Sequence, residues 1–195
     1  MPPPLRKLAL AVHLTCSVGW IGAVAAYLAL DVTVAVSGDP QTVRSAWIAM
    51  GLVTAWAIVP LAVASLATGL VMALGTRWGL FRHWWVLISL LLTTGATLVL
   101  LSEASVIGDA AATAGEPTTS TAQLLALPPT LPHSVGGLTV LLVIQVLNIY
   151  KPQGLTRYGW RKQQERQALE RRKLEQHRPT VAGGSEVHEG VERKP

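Results

Sequence analysis

The run HLTCSVGWIGAVAAYLALD, residues 13 to 31, is apolar overall, yet it holds a histidine, a cysteine, a serine, a tryptophan, a tyrosine and an aspartate. His13 and Cys16 are three apart, so a helix puts both on one face, and their softness suits Cu(I). An imidazole in such a place can also be an axial ligand of haem b, with His83 as its partner across a bundle. It can equally hydrogen bond to, or exchange a proton with, a quinone head. A hydrogen-bonded structural histidine needs no ligand at all, and this is the first expectation for His13. Two ligands do not complete a metal site, and Met50 and Met72 show no clustering that would extend it. His83 directly precedes Trp84 and is expected several ångströms shallower than His13, whereas His133 falls at the opposite end of its helix.

At about 100° per residue, His13, Ser17, Trp20, Val24, Tyr27 and Asp31 share an arc of roughly 80°. A polar group facing hydrocarbon without a partner is costly, so this stripe is expected to face the interior of a bundle. Trp20 lies near mid-helix, where its indole N–H needs an acceptor. Tyr27 and Asp31 are expected at the far surface, with Asp31 a solvated helix-end carboxylate. Thr15, Gly19, Gly22 and Ala26 line the opposite side and would let a second helix approach closely, so the helix is expected to touch protein on both sides. Gln145 and Asn148, three apart near one end of the last apolar run, are the expected cross-bundle partners of His13. Ser65, Gly69 and Ala73 recur every four residues, as do Gly51 and Ala55, and give further close-packing faces.

The elements that must position these residues are four apolar runs, Leu8 to Leu30, Ala46 to Leu74, Trp84 to Leu101 and Val135 to Tyr150. A crossing needs about 20 apolar residues; three runs qualify, and Pro132 to Ser134 lengthen the fourth. Of the 27 formal charges, 17 lie in residues 151–195, which leaves a body suited to lipid. The expectation is an all-α, four-transmembrane-helix, up-and-down bundle over residues 1–150, with helices near 8–30, 46–74, 84–104 and 132–150. Pro60 invites a bend in the second, because its ring displaces the Trp56 carbonyl. A cleaved signal peptide fits less well, since the first run exceeds a normal signal core and the remainder is itself membrane-like. One cysteine excludes an internal disulfide.

Basic residues stay on the cytoplasmic side near helix ends. Arg6 and Lys7, Arg77 and Arg82, and the run from Lys151 onward mark alternate connections, so both termini of this multi-pass protein are expected in the cytoplasm, under a plasma membrane. The outer connection 102–132 carries turn formers without helical period and reads as a loop. After Pro152 and Gly154 a charged helix can restart. Arg161/Glu165, Arg166/Glu170 and Arg171/Glu175 are spaced to support it, and the last residues have a disordered composition. Between Arg161 and Arg178 seven basic residues face three acidic ones. That surplus can be drawn to anionic lipid; no aromatic platform or basic groove accompanies it, so nucleic acid is not an expected partner.

In TRWGLFRHWW, Arg77, Arg82 and His83 alternate with Trp78, Trp84 and Trp85, a pattern that fixes depth at a headgroup boundary and that an anionic headgroup or quinone head could also use. This stretch within TGLVMALGTRWGLFRHWWVLISLLLT (68 to 93), with SVGWIGAV (17 to 24) and YKPQGLTRYGW (150 to 160), resembles a group of uncharacterised bacterial integral membrane proteins across most of residues 8 to 160. The pattern is also loosely similar to the CopD-like copper-resistance membrane domain, with its histidine-led first helix and TG-bearing second. The resemblance implies a four-helix membrane domain without an assigned activity, and carries over His13 alone as a candidate ligand. The similar sequences often have lysine where Ser89 stands. Residue types alone show no catalytic triad, phosphate loop or paired buried carboxylate. A noncatalytic scaffold or accessory subunit, joined to a membrane partner through small-residue faces, is the leading expectation. A haem- or quinone-linked redox protein and a small-solute or copper-ion transporter are the alternatives.

Overall fold

The computed structural model describes residues 2–75, 83–152 and 154–176. Four helices are long and apolar enough to cross a membrane: α1 (Pro3–Val36), α2 (Pro40–Gly75), α3 (Trp84–Gly115) and α5 (Leu131–Tyr150). A short α4 (Thr121–Leu125) lies before α5, and a polar α6 (Arg157–Gln176) follows it. Consecutive long helices are antiparallel neighbours, and α5 closes back onto α1 and α3, which makes an up-and-down, all-α bundle. Its proximal end holds the starts of α1 and α3 and the ends of α2 and α5; the distal end holds the 37–39 turn and the 116–130 segment. Among the described residues no strand forms, and an isolated antiparallel bridge joins His83 to Leu155.

Three helices run past the expected limits, two of them for a local reason. Pro3 and Pro4 lie in the first turn of α1, where a missing N–H leaves no bond unmade. Asp39 caps α2: its carboxylate accepts from the Thr42 N–H at 2.9 Å, the Thr42 hydroxyl at 2.6 Å and the Gln41 N–H at 3.4 Å, and Pro40 follows at the first position. The Thr42 hydroxyl and those two N–H groups hold the Asp39 carboxyl below its ordinary range. The cap therefore supports α2 above the usual carboxylate range and is lost as pH falls through the lowered value. α3 continues to Gly115, so much of the expected 102–132 loop is helix. Residues 116–130 are then organised by the Ser120/Gln123 capping box, in which the Gln123 N–H reaches Ser120 Oγ at 3.3 Å and the Ser120 N–H reaches Gln123 Oε1 at 2.8 Å.

Pro60 acts as its chemistry requires. Thr54–Ile58 form a π turn, with the Val59 N–H bonded five residues back to the Thr54 carbonyl. The wider turn accommodates a ring that would crowd the Trp56 carbonyl in an α register. Trp56 itself points away from the bundle and is 81% exposed.

Buried side chains concentrate toward the distal half, where Tyr27, Val43, Trp47, Met50, Ile107, Ala114 and Leu124 interlock. Outward positions such as Val18, Leu52, Leu91 and Leu98 are exposed and apolar. Lipid tails are as apolar as leucine, so helix association must come from close contact and hydrogen bonds instead of water exclusion. Gly51 illustrates this, because a Cβ placed there would overlap the methyl of Ala111. Gly51→Ala is expected to lower unfolding stability in a denaturant titration by about 1–3 kcal/mol, and Ala111→Gly in the same chain to restore part of it. Equal stability of wild type and Gly51→Ala would contradict this contact. The other small-residue face differs from expectation. Gly19 packs on Leu61, but Thr15, Gly22 and Ala26 are exposed, so most of this face of α1 does not meet protein.

At the proximal end α5 stops at Lys151, whose backbone is left-handed (φ 43°) and whose N–H bonds to the Leu147 carbonyl. The Trp84 N–H then bonds to the Gly154 carbonyl at 3.2 Å, which ties the start of α3 to the chain leading into α6. α6 is exposed along nearly its whole length. It carries a Lys162–Glu165 ion pair at 2.9 Å, three residues apart where pairs four apart were expected.

Candidate functional site

A cavity of about 290 Å³ lies at the distal end beside Asp31, Trp47 and Leu124, and a larger one lies at the proximal end. A cavity of about 580 Å³ lies between α1, α2, α3 and α5, with walls from all four. Arg6 and Lys151 stand among its walls at the proximal end. Deeper come His13, Ser17, Ser65, Gly69, Ser89, Gln145 and Asn148, interspersed with Leu14, Leu66, Leu90 and Ile144, and Trp20 and Leu141 lie deeper still. No aspartate or glutamate lines it among the described residues.

The helix-one stripe turns inward, and two of its members hydrogen bond across to α2. His13 Nδ1 lies 3.0 Å from Thr68 Oγ1, and one turn along, the Ser17 and Ser65 hydroxyls are 2.8 Å apart. Direct bonding to Gln145 or Asn148 was the sequence expectation for His13; the bond instead goes to Thr68, and the two amides are fellow walls of the cavity. Thr68 has one hydroxyl hydrogen, which it donates to its own helix at the Ala64 carbonyl, 2.7 Å away, with the Ser65 carbonyl at 3.1 Å. With that hydrogen on the Ala64 carbonyl, Thr68 accepts from His13, an assignment that puts the ring proton on Nδ1 and leaves the lone pair on Nε2. The ring lies on Gly69, where a Cβ would come within 3.2 Å of His13 Cε1. The Thr68-Gly69 pair thus orients His13 by one hydrogen bond and one absent side chain.

Two polar groups in the walls lack partners. Trp20 is 4% exposed and Ser89 7% exposed, and neither the indole N–H nor the Ser89 hydroxyl has a hydrogen-bond partner among the described residues. Thr93 and Thr97 bond back to carbonyls of their own helix, as expected, and supply nothing to Ser89.

The other sequence candidates fall elsewhere. His83 caps α3 at the rim, bridged to Leu155 and with its ring tilted 6.4 Å from that of Trp85; it is absent from the cavity walls, so it does not face His13 across the cavity. Cys16 is half-buried beside the stripe and also outside the walls. Trp84 is exposed at the proximal end, whereas Trp85 turns inward to the cavity. Arg77, Trp78 and Arg82 lie outside the described residues.

Asp31 overturns the reading of a solvated carboxylate. It is 3% exposed and accepts from Thr130 Oγ1 at 2.8 Å and Ser134 Oγ at 2.6 Å, both at the start of α5. Tyr27 lies near Thr130 and Asp31, but its buried hydroxyl makes no well-formed hydrogen bond. Glu103 and His133 approach to 3.7 Å close by. The signal missed is the pair Thr130 and Ser134 flanking the Leu-Pro start of α5, hydroxyls four apart that face one helix neighbour.

These features define a four-helix membrane bundle with a partly open, mixed polar and apolar cavity at one end. No family model, no curated protein and no solved structure matches the chain.

Proposed function

We propose that this chain is a noncatalytic plasma-membrane binding or accessory protein whose proximal cavity houses an amphiphilic molecule. The observation that carries the reading is the 580 Å³ cavity, walled by four helices and joining apolar surface to hydrogen-bonding groups at several depths. Cavities of about 300–1,000 Å³ with few, convergent polar groups suit small ligands. The basic residues at Arg6, Lys7 and Lys151 support a proximal end in the cytoplasm. The basic α6 then lies beside the inner leaflet, where its surplus charge favours anionic lipid. A redox role is the second reading, favoured by the free Nε2 of His13. Within it the CopD-like likeness contributes His13 and no other ligand.

Native mass spectrometry of protein extracted in mild detergent tests the first reading. The expected result is an adduct of one small amphiphile, largely lost in Gln145→Trp, which fills the cavity from a half-buried wall position. No adduct, or one retained equally by the variant, would remove the proposal. The redox reading expects a visible Soret band, or a quinone in the organic extract, that His13→Ala abolishes.

A further inference from the structure

The proximal cavity changes character with depth. Arg6 on α1 and Lys151 at the end of α5 stand at its mouth, and no carboxylate lines it among the described residues. Arg6 forms no ion pair among the described residues. Asn148 and Gln145 lie three and six residues before Lys151 on α5, about 5 and 9 Å down the axis. Unlike the enclosed Trp20 and Ser89 groups, these amides sit on half-buried side chains in the cavity wall, and neither makes a side-chain hydrogen bond among the described residues. Each amide nitrogen brings two donors. Deeper on the same helix, Leu141 gives the wall an apolar surface. Leu10 and Leu14 on α1 and Ile149 on α5 belong both to the walls and to the exposed apolar surface. The cavity therefore reaches the flank of the bundle between α1 and α5, where such side chains face hydrocarbon.

Cations at the mouth, donors one and two turns below, apolar surface beneath and an opening on the flank follow the order of phosphate, ester carbonyls and acyl chain in a glycerophospholipid. The headgroup layer on each side of the hydrocarbon core is about 5–8 Å thick, so ester carbonyls at its inner edge reach the depth of the two amides when phosphate lies at the mouth. A cationic head would meet like charges at Arg6 and Lys151. A free fatty acid has no acceptor below its carboxylate to answer the amides. We infer that the cavity binds an anionic glycerophospholipid from the proximal leaflet, with its phosphate at Arg6 and Lys151, its ester carbonyls accepting from the Gln145 and Asn148 amides, and one acyl chain along Leu141. This rests on the binding reading above and describes a site separate from the exposed basic α6.

The test uses native mass spectrometry of the full-length protein in an uncharged detergent, with three probes: dilauroyl phosphatidylglycerol, its diether analogue and dilauroyl phosphatidylcholine. The variants are Arg6→Gln with Lys151→Gln, Gln145→Leu with Asn148→Leu, and Gln145→Trp, with thermal unfolding as the check of folding. One phosphatidylglycerol per chain is expected in wild type and should be lost in Gln145→Trp. It should bind about tenfold or more tightly than phosphatidylcholine, and about fivefold more tightly than the diether, which lacks the carbonyls. The charge variant should bring phosphatidylglycerol down to the level of phosphatidylcholine, and the leucine pair should bring the diester down to the level of the diether. Equal binding of phosphatidylcholine, equal binding of the diether, or pair variants that change nothing would each overturn the inference while leaving a cavity for an amphiphile. Failure of every probe to bind, or phosphatidylglycerol retained equally in Gln145→Trp, would remove the binding reading as well.

Discussion

Arg44→Ala is expected to loosen the distal end of the bundle by about 2–3 kcal/mol and to expose residues 116–130 to protease. Arg44 sits in the second turn of α2, and its guanidinium crosses to the end of α3. There Nη1 donates to the carbonyls of Ala114 at 2.5 Å and Glu116 at 2.7 Å, and Nη2 donates to Thr119 at 2.8 Å. The last carbonyls of a helix have no partner within it and form the negative end of its dipole, so a cation there satisfies bonds and charge together. Three charge-assisted bonds would sum to more than the figure given, but Arg44 is only half-buried, and water competes for each of them. Arg44→Lys keeps the charge and loses the fork, so it should recover less than half of the loss. Limited proteolysis and denaturant unfolding measure both effects. A stability change below about 0.5 kcal/mol in Arg44→Ala would show that the capping box alone orders the segment.

The four spans were legible because lipid imposes its constraint on composition, and apolar length survives any detail of packing. The inward direction of the helix-one stripe was legible for a similar reason, since a polar residue in hydrocarbon has few places to go. Helix ends were not. Asp39-Pro40 stands in the sequence as an N-cap and first-turn proline, but the hydropathy of the run begins only at Ala46, after the helix has already started. The turn formers of residues 115–132 suggested a loop over the whole of 102–132, but alanines 104, 110, 111 and 112 favour helix, and Arg44 stabilises its end from a different element. A bond between residues 70 positions apart leaves no local trace.

The candidate site was legible by membership and not by pairing. His13, Ser17, Trp20, Gln145 and Asn148 share the cavity, but the depth argument that joined His13 to the two amides could not see Thr68. That bond depends on how α1 and α2 are rotated, and the small face of Gly69 permits it. His83 stands at the rim and outside the cavity walls, in line with the shallower position implied by its place before Trp84, and the backbone bridge to Leu155 there is a contact no side-chain periodicity encodes. Ser89 gave no warning, since a serine in a membrane helix commonly bonds to its own backbone.

The largest effect should come from stripping the donors of Asp31 while leaving the carboxylate. Asp31→Ala removes a buried charge along with its bonds. The hydroxyl of Ser134 can then turn to the Leu131 carbonyl, already 3.0 Å away, and Thr130 is the group left without a partner. The loss of bonding is offset in part by the desolvation that no longer has to be met, so about 1–3 kcal/mol is expected. Thr130→Val with Ser134→Ala does the reverse. It keeps a carboxylate that is 3% exposed and takes away both hydroxyl donors, and no lysine or arginine forms a salt bridge with it among the described residues. About 3–5 kcal/mol is expected for that double variant. Combining all three substitutions should be less damaging than the double one, because the orphaned charge is then gone. Unfolding titrations of the four proteins close a thermodynamic cycle, and the sign of its coupling decides the matter. Strict additivity would mean that Asp31 reaches solvent through the distal end and that its hydroxyl partners serve only to seat α5 against α1.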